Sequence, residues 1–257
     1  MTNAPPFQSQ PAQSQPASPQ PADAAATVSG AFTPNSFCGE RLACQRGGRL
    51  VFKALDFTVE PGQCLILIGA NGAGKSSLLR LMAGLMRPAF GRLTWGGQDV
   101  HDLPERGRTL HYIGHHDSLK PVLTAWENLD FLARMHGIDP GVAPGRAALD
   151  PFDLAPLADT PGRMLSAGQK RRLALSRLIA APAPLWLLDE PTTALDRASI
   201  ARLEGIIEAH RAHGGMVVLS THGDVKLART QTLNLDEFRA KPEALLAKSD
   251  DWGDDEW

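Results

Sequence analysis

The sequence has no run of about 18 uncharged apolar residues, so we expect no membrane-spanning helix. Its N-terminus does not join a basic segment to an apolar core, and we expect no signal peptide. The three cysteines, Cys38, Cys44 and Cys64, are irregularly spaced, which argues against a disulfide framework or a zinc site and for free thiols. A net charge of −2 leaves no basic excess, which argues against a nucleic-acid partner.

What the chain does have is enough apolar material for one α/β domain, with 43% hydrophobic residues among 257. Residues 1–36 are rich in Pro, Gln, Ser and Ala and hold almost no large apolar side chains, which predicts a disordered tail. Residues 241–257 end in an acidic stretch and predict a second loose tail. The domain is therefore expected at 37–240.

Apolar β-rich runs predict several strands, and they lie at 62–69, 92–95, 109–113, 184–190 and 215–220. A helical pattern begins at Lys75 and continues to about Met86, where Arg87-Pro88 is expected to end it. A mostly helical block covers about 123–179, and we place a helical subdomain at about 120–175. This order predicts an α/β fold with a parallel sheet and a helical insertion.

A phosphate-binding loop is predicted at "GANGAGKS", which fits G-x-x-x-x-G-K-[ST] and lies between a predicted strand and a predicted helix. Its glycines let backbone N–H groups wrap phosphates. Lys75 is expected to reach the β- and γ-phosphates and Ser76 to offer its hydroxyl to Mg²⁺. The residues predicted to bind nucleotide here are Gly69, Ala70, Asn71, Gly72, Ala73, Gly74, Lys75, Ser76 and Ser77.

Two carboxylates end the apolar run "LWLLDEP", and a buried carboxylate is costly unless it is paired or bound to a metal. Asp189 is predicted to hold Mg²⁺, and Glu190 is predicted to act as the general base toward the attacking water. His222 follows another predicted strand and is a candidate for contacting the γ-phosphate. Asp196, a short turn after the carboxylates, is interpreted either as part of the site or as a helix N-cap.

A second phosphate-compatible motif occurs at "LSAGQKRR", residues 165–172. Ser166 is a typical N-cap, Gly168 permits close approach to the backbone, and a basic first turn follows. A metabolic P-loop kinase has no use for this second motif.

These motifs, in this order, resemble the ATP-binding cassette (ABC) family, and the resemblance covers nearly all of the predicted domain. It implies a P-loop core with a parallel sheet, a small antiparallel β subdomain and an inserted helical subdomain. It also implies ATP and Mg²⁺ as cofactors. In that family two cassettes pack head to tail, so Ser166, Gly168 and Gln169 are expected to contact the ATP of a second copy in a homodimer.

Two positions depart from the family pattern. His116 stands where the family usually has a metal-contacting glutamine, and we retain it as a metal-ligand candidate. No aromatic residue lies where many cassettes stack one on adenine. Arg46 could stack through its guanidinium, or it could be a solvated loop arginine.

The flanking stretches "YIGH", "LTAWENL" and "PLWLLDEP" resemble the ATP-binding subunits of cytochrome c maturation haem exporters. This resemblance implies ATP hydrolysis coupled to haem export or to release of a haem-loaded chaperone. It also implies membrane permease subunits as partners, at the cytoplasmic face of the inner membrane. The alternatives are an exporter of another small molecule and a soluble ABC ATPase without a transport role.

Overall fold

The computed structural model describes residues 32, 35–103, 109–138, 145–221, 223 and 225–240. The predicted tails at 1–36 and 241–257 lie outside these residues, except for Phe32, Asn35 and Ser36. The Phe32 ring packs edge-on against His210, with 5.3 Å between ring centroids. The end of the N-terminal segment is therefore held against the domain by an aromatic contact.

The strands of the described chain are β1 (Phe37–Arg46), β2 (Arg49–Val59), β3 (Cys64–Ile68), β4 (Phe90–Trp95), β5 (Gln98–Asp99), β6 (Leu110–Ile113), β7 (Leu185–Asp189), β8 (Met216–Ser220) and β9 (Thr230–Asn234). Its α-helices are α1 (Lys75–Met82), α2 (Ala125–Met135), α3 (Ala167–Ala180) and α4 (Arg197–Ala212). Short 3₁₀ segments lie at Val100–Asp102, Gly145–Phe152, Ala155–Leu157, Gly162–Met164 and Leu235–Phe238.

A parallel sheet of order β6-β7-β8-β3-β9 forms the centre of the molecule. Every residue of β7 and β8 is buried, as expected for strands covered on both faces. Because the strands are parallel, the loops that follow β3, β6, β7 and β8 meet at one edge of the sheet. This edge therefore collects the phosphate loop, the loop with His116, and the carboxylate pair.

A second, antiparallel sheet of order β2-β1-β4-β5 packs over α1. Phe37, Leu42 and Phe52 from this sheet share one apolar core with Leu78 and Leu79 of α1. A separate core joins α2, α3, α4 and the 3₁₀ segment Gly145–Phe152 to the other side of the parallel sheet. The phosphate loop is thus set between two packed layers.

Helix α1 ends earlier than the sequence predicted, at Met82 instead of about Met86. Gly84 adopts a left-handed conformation with φ 66°. Its N–H donates to the Leu81 carbonyl, and the Leu85 N–H donates to the Arg80 carbonyl, both at 2.9 Å. This is the Schellman pattern that terminates helices, so the glycine and not the later proline stops α1.

Strand β9, at the edge of the parallel sheet, was not predicted. Its sequence TQTLN is polar and half-exposed, so it lacks the apolar run that marks β7 and β8.

Among the described residues no helix combines the length and apolarity needed to cross a membrane. The three cysteines are free, as expected, and burial raises the pKa of the Cys64 thiol to about 12.

Candidate nucleotide-binding site

A cavity of about 570 Å³ opens at the carboxyl edge of the parallel sheet. The phosphate loop, the start of α1, the β1–β2 hairpin and the end of β7 together line it. Its lining residues are Arg46, Val51, Asn71, Gly72, Gly74, Lys75, Ser76, Ser77 and Glu190. The cavity thus brings a predicted phosphate-binding loop and a predicted general base to the same space.

The phosphate loop needs glycine at the position directly before α1. Gly74 has φ 107°, and a Cβ there would lie 2.8 Å from Cγ1 of Val51. Helix α1 begins directly after it, and Gly74, as the N-cap, has no side chain with which to cap the helix. The positive end of the helix dipole therefore faces the cavity, which favours an anion there.

The Lys75 side chain is buried and crosses the inner side of this loop to its first residues. Its Nζ donates to the carbonyl oxygens of Gly69 at 2.6 Å and Ala70 at 3.3 Å. The Ala70 N–H in turn donates to Oδ2 of Asp236 at 2.9 Å. Asp236, from the last 3₁₀ segment, thus anchors the first turn of the loop. No sequence motif pointed to it.

Two of the three predicted metal-binding residues, Ser76 and Asp189, lie together. The Ser76 hydroxyl donates to Oδ1 of Asp189 at 3.1 Å, and the Ser220 hydroxyl donates to the same oxygen at 2.8 Å. Asp189 is only 3% exposed. A hydroxyl and a carboxylate beside a phosphate-binding loop are the hard oxygen ligands that Mg²⁺ prefers, so these residues fit that ion.

Glu190 follows Asp189 at the end of β7 and lines the cavity. Its backbone has φ 47°, in the left-handed region that residues other than glycine rarely adopt. The Glu190 N–H donates to the Ser220 hydroxyl oxygen at 2.9 Å. Ser220 thereby connects both carboxylate residues, a role that sequence analysis missed. Its position before "TH" at the end of a buried strand was the available signal.

The second motif forms the start of α3, where Ser166 caps the helix. Its hydroxyl accepts from the Gln169 N–H at 3.2 Å, and its own N–H donates to Oε1 of Gln169 at 2.8 Å, which completes a capping box. A Cβ on Gly168 would lie 3.0 Å from the Ala194 carbonyl oxygen. Ser166 is exposed, and this motif is separate from the residues that line the cavity.

One candidate, His116, is not among the described residues that line the cavity. The His116 side chain is exposed, and its ring lies beside that of His115, with centroids 5.7 Å apart. His222 lies outside the described residues. Asp196 is the N-cap of α4, since its Oδ1 accepts from the Ser199 N–H at 2.7 Å, and these hydrogen bonds lower the pKa of its carboxyl group.

Comparison with known proteins supplies the family. The model of the ABC transporter family matches residues 52–193, more than half of the chain. The chain belongs to the ABC transporter family. It is an ATP-binding subunit in which hydrolysis is coupled to transport. A solved structure described as an ATP-binding subunit of an ABC transporter superimposes with a TM-score of 0.66 at 28% identity, covering 73% of this chain and 79% of that chain.

The curated relatives are similar over most of their length. The cytochrome c biogenesis ATP-binding export protein CcmA of Rhodospirillum rubrum is 60% identical over 210 residues, 81% of this chain and 89% of the relative. The protein of the same name from Paramagnetospirillum magneticum is 55% identical over 214 residues, 81% and 98% respectively. The predicted fold class and the predicted family are confirmed.

Proposed function

We propose that this chain hydrolyses ATP to drive an exporter used in cytochrome c biogenesis, with haem or a haem-loaded chaperone as the species released. Relatives that carry the cytochrome c biogenesis name match 81% of this chain at 55–60% identity. The observation that carries the ATPase part is that Ser76 and Glu190 line one cavity beside the phosphate loop and that the Ser76 hydroxyl donates to the buried Asp189.

Each residue of the site has its own role in phosphoryl transfer. Lys75 and the N–H groups of its loop bind and orient the phosphates of ATP. Ser76 and Asp189 would hold Mg²⁺, which supplies charge neutralisation on the phosphate oxygens when bound. Glu190 accepts a proton from the water that attacks the γ-phosphate. Each group stands on a rigid element or is fixed by hydrogen bonds, which suits chemistry that depends on positioning.

Two copies of the chain complete two sites. Ser166, Gly168 and Gln169 lie at the start of α3 and do not line the cavity of their own chain. In the proposed dimer Ser166 and Gly168 face the γ-phosphate of the partner's ATP. Such a pairing is symmetric, since each copy gives one motif and receives the other. ATP then favours the closed pair, and its hydrolysis favours the open pair.

The proposed partners are the membrane permease subunits of the exporter, which would hold this chain at the cytoplasmic face of the inner membrane. The helical block with α2 and α3 packs on the face of the parallel sheet opposite to α1. It is the segment proposed to pass the nucleotide state to the permease.

The decisive experiment replaces the chromosomal gene with a Lys75→Ala version and stains membranes for covalently bound haem. We expect loss of c-type cytochromes, because the lysine that binds the phosphates is gone. Lys226→Ala, which changes an exposed lysine, is the matched control and should leave cytochromes normal. Normal cytochromes in the Lys75→Ala strain would refute the cytochrome c role and assign the exporter another small molecule.

A biochemical test addresses Glu190 directly. We expect Glu190→Gln to bind ATP with unchanged affinity, to lose turnover, and to accumulate as a closed dimer on size exclusion with ATP. A Glu190→Gln protein with normal turnover would remove the general-base assignment while leaving the transport role intact.

A further inference from the structure

Arg171 is a buried arginine that no part of the proposed mechanism uses. It lies in the second turn of α3 and is 3% exposed. Its guanidinium has five N–H donors, and the structure gives five acceptors within hydrogen-bond distance. These are the carbonyl oxygens of Gly114 (2.9 Å), Asp189 (2.9 Å), Glu190 (2.7 Å) and Pro191 (3.2 Å), and Oδ1 of Asp117 (3.2 Å).

Three of these acceptors are consecutive carbonyls at the end of β7, and they surround Glu190. The backbone of Glu190 is in the left-handed region, with φ 47°. Its N–H donates to the Ser220 hydroxyl oxygen, and its carbonyl accepts from Arg171 at 2.7 Å and from the Thr193 N–H at 3.2 Å. A strained conformation persists only where its surroundings fix it from several sides. Arg171 is therefore one of the groups that fix the backbone of Glu190, and the one that connects it to α3.

The other two acceptors, Gly114 and Asp117, belong to the loop after β6 that contains His116. One rigid guanidinium thus joins three segments: this loop, the end of β7, and the helix that begins with Ser166. Lysine is a single point charge with three donors, and it cannot reproduce a planar fork that bonds to all three segments. A displacement of α3 or of the loop is transmitted to the backbone of Glu190.

We propose that Arg171 is a positioning residue for hydrolysis, which sets the conformation of Glu190 and couples it to the signature helix and to the His116 loop. The proposal rests on the proposed function, in which Glu190 is the general base. Removing the guanidinium leaves the phosphate loop and its contacts in place. We therefore expect Arg171→Met to bind ATP with unchanged affinity and to turn over about 100-fold more slowly, since a misplacement near 1 Å costs that much.

The matched control is Arg211, another buried arginine that donates to backbone carbonyls. It donates to the carbonyls of Gly62, Ala228 and Arg229 and, like Arg171, to one carboxylate, that of Glu208. Gly62 precedes β3, so this cluster lies at the opposite edge of the sheet from the phosphate loop. Arg171→Met and Arg211→Met both remove buried hydrogen bonds. Both should lower the Tm, but only Arg171→Met should lose turnover.

The test uses the full chain purified from its native membranes with the subunits that co-purify. Single-turnover hydrolysis of radiolabelled ATP and equilibrium ATP affinity are measured for Arg171→Met, Arg171→Lys and Arg211→Met. We expect Arg171→Lys to fold stably and to recover only part of the lost rate at normal affinity. Normal turnover in Arg171→Lys and Arg171→Met, or an equal loss in Arg211→Met, would overturn the proposal.

A double variant separates positioning from general stability. If Arg171 acts through Glu190, adding Arg171→Met to Glu190→Gln should produce no further loss of rate, because the group it positions is already gone. A multiplicative loss in the double variant would show that Arg171 acts elsewhere. If Glu190→Gln alone keeps full turnover, the general-base assignment fails, whereas an inactive Glu190→Gln beside an active Arg171→Met rejects only the positioning role.

Discussion

Two buried histidines should make the stability of this fold fall steeply between pH 7.5 and pH 5.5. Burial lowers the pKa of His111 and of His210 to about 3. The nearby His136 and Arg177 contribute to this lowering of the His111 pKa, and the hydrogen bond to the Ala181 carbonyl opposes it. The His210 ring stacks on Trp186, with centroids 3.7 Å apart. Both imidazoles are therefore neutral in the folded state at any pH at which the protein works.

The sign follows from proton binding. An unfolded histidine titrates near pH 6.5, so below that pH each histidine binds a proton in the unfolded chain but stays unprotonated in the folded chain. The contribution of each histidine is fully present above pH 6.5 and is lost as the pH falls toward 3. At pH 5.5 each costs about 1.4 kcal/mol, and the pair costs about 3 kcal/mol, a large share of a typical 5–15 kcal/mol. Carboxyl groups with lowered pKa values, such as Asp159, stay ionised in this range.

The assay is urea unfolding followed by tryptophan fluorescence at pH 7.5, 6.5 and 5.5. His111→Gln keeps a donor for the Ala181 carbonyl that His111 Nε2–H contacts, and His210→Phe keeps the ring that stacks on Trp186. Each variant should have about half the wild-type change in unfolding free energy across this range. A wild-type protein whose unfolding free energy is equal at pH 7.5 and 5.5 would refute the assignment of both groups as buried and neutral.

Three further changes test the nucleotide site. Gly74→Ala should lower the free energy of unfolding in urea by about 1–3 kcal/mol and weaken ATP binding, because φ is 107° there and the added Cβ would contact Val51. The control Gly72→Ala, at φ 84° with open space around it, should lower the free energy of unfolding by less. Ser220→Ala leaves the Glu190 N–H without its acceptor, so we expect a loss of about 1–3 kcal/mol and slower turnover at unchanged ATP affinity. Arg46→Ala should raise the KM for ATP about tenfold if the guanidinium stacks on the base, and an unchanged KM would make Arg46 a solvated loop residue.

Local motifs were predictable because the residues that define each motif are neighbours in the sequence. The phosphate loop needs glycine at positions such as Gly74, where the backbone is left-handed. In the sequence these glycines occur at the spacing from Lys75 and Ser76 that the motif requires. Asp189 was predictable because a carboxylate at the end of an apolar strand needs a partner. The end of α1 was placed wrongly because Pro88 was weighed above Gly84, although a left-handed glycine is sufficient to end a helix.

The residues that sequence analysis missed share one property: each bonds to a backbone group. Arg171 donates to four carbonyls, Ser220 accepts from an N–H of Glu190, and Asp236 accepts from an N–H of Ala70. Because every residue except proline offers the same N–H and carbonyl, no pattern of side chains identifies the backbone partner in advance, even where a signal marks the residue itself, as at Ser220. The partner of Asp236 lies 166 residues away in sequence. The sequence pattern thus predicts candidate reactive groups, while the groups that fix their geometry emerge only when the parallel sheet brings its loops to one edge, and Arg171 lies where three of those segments meet.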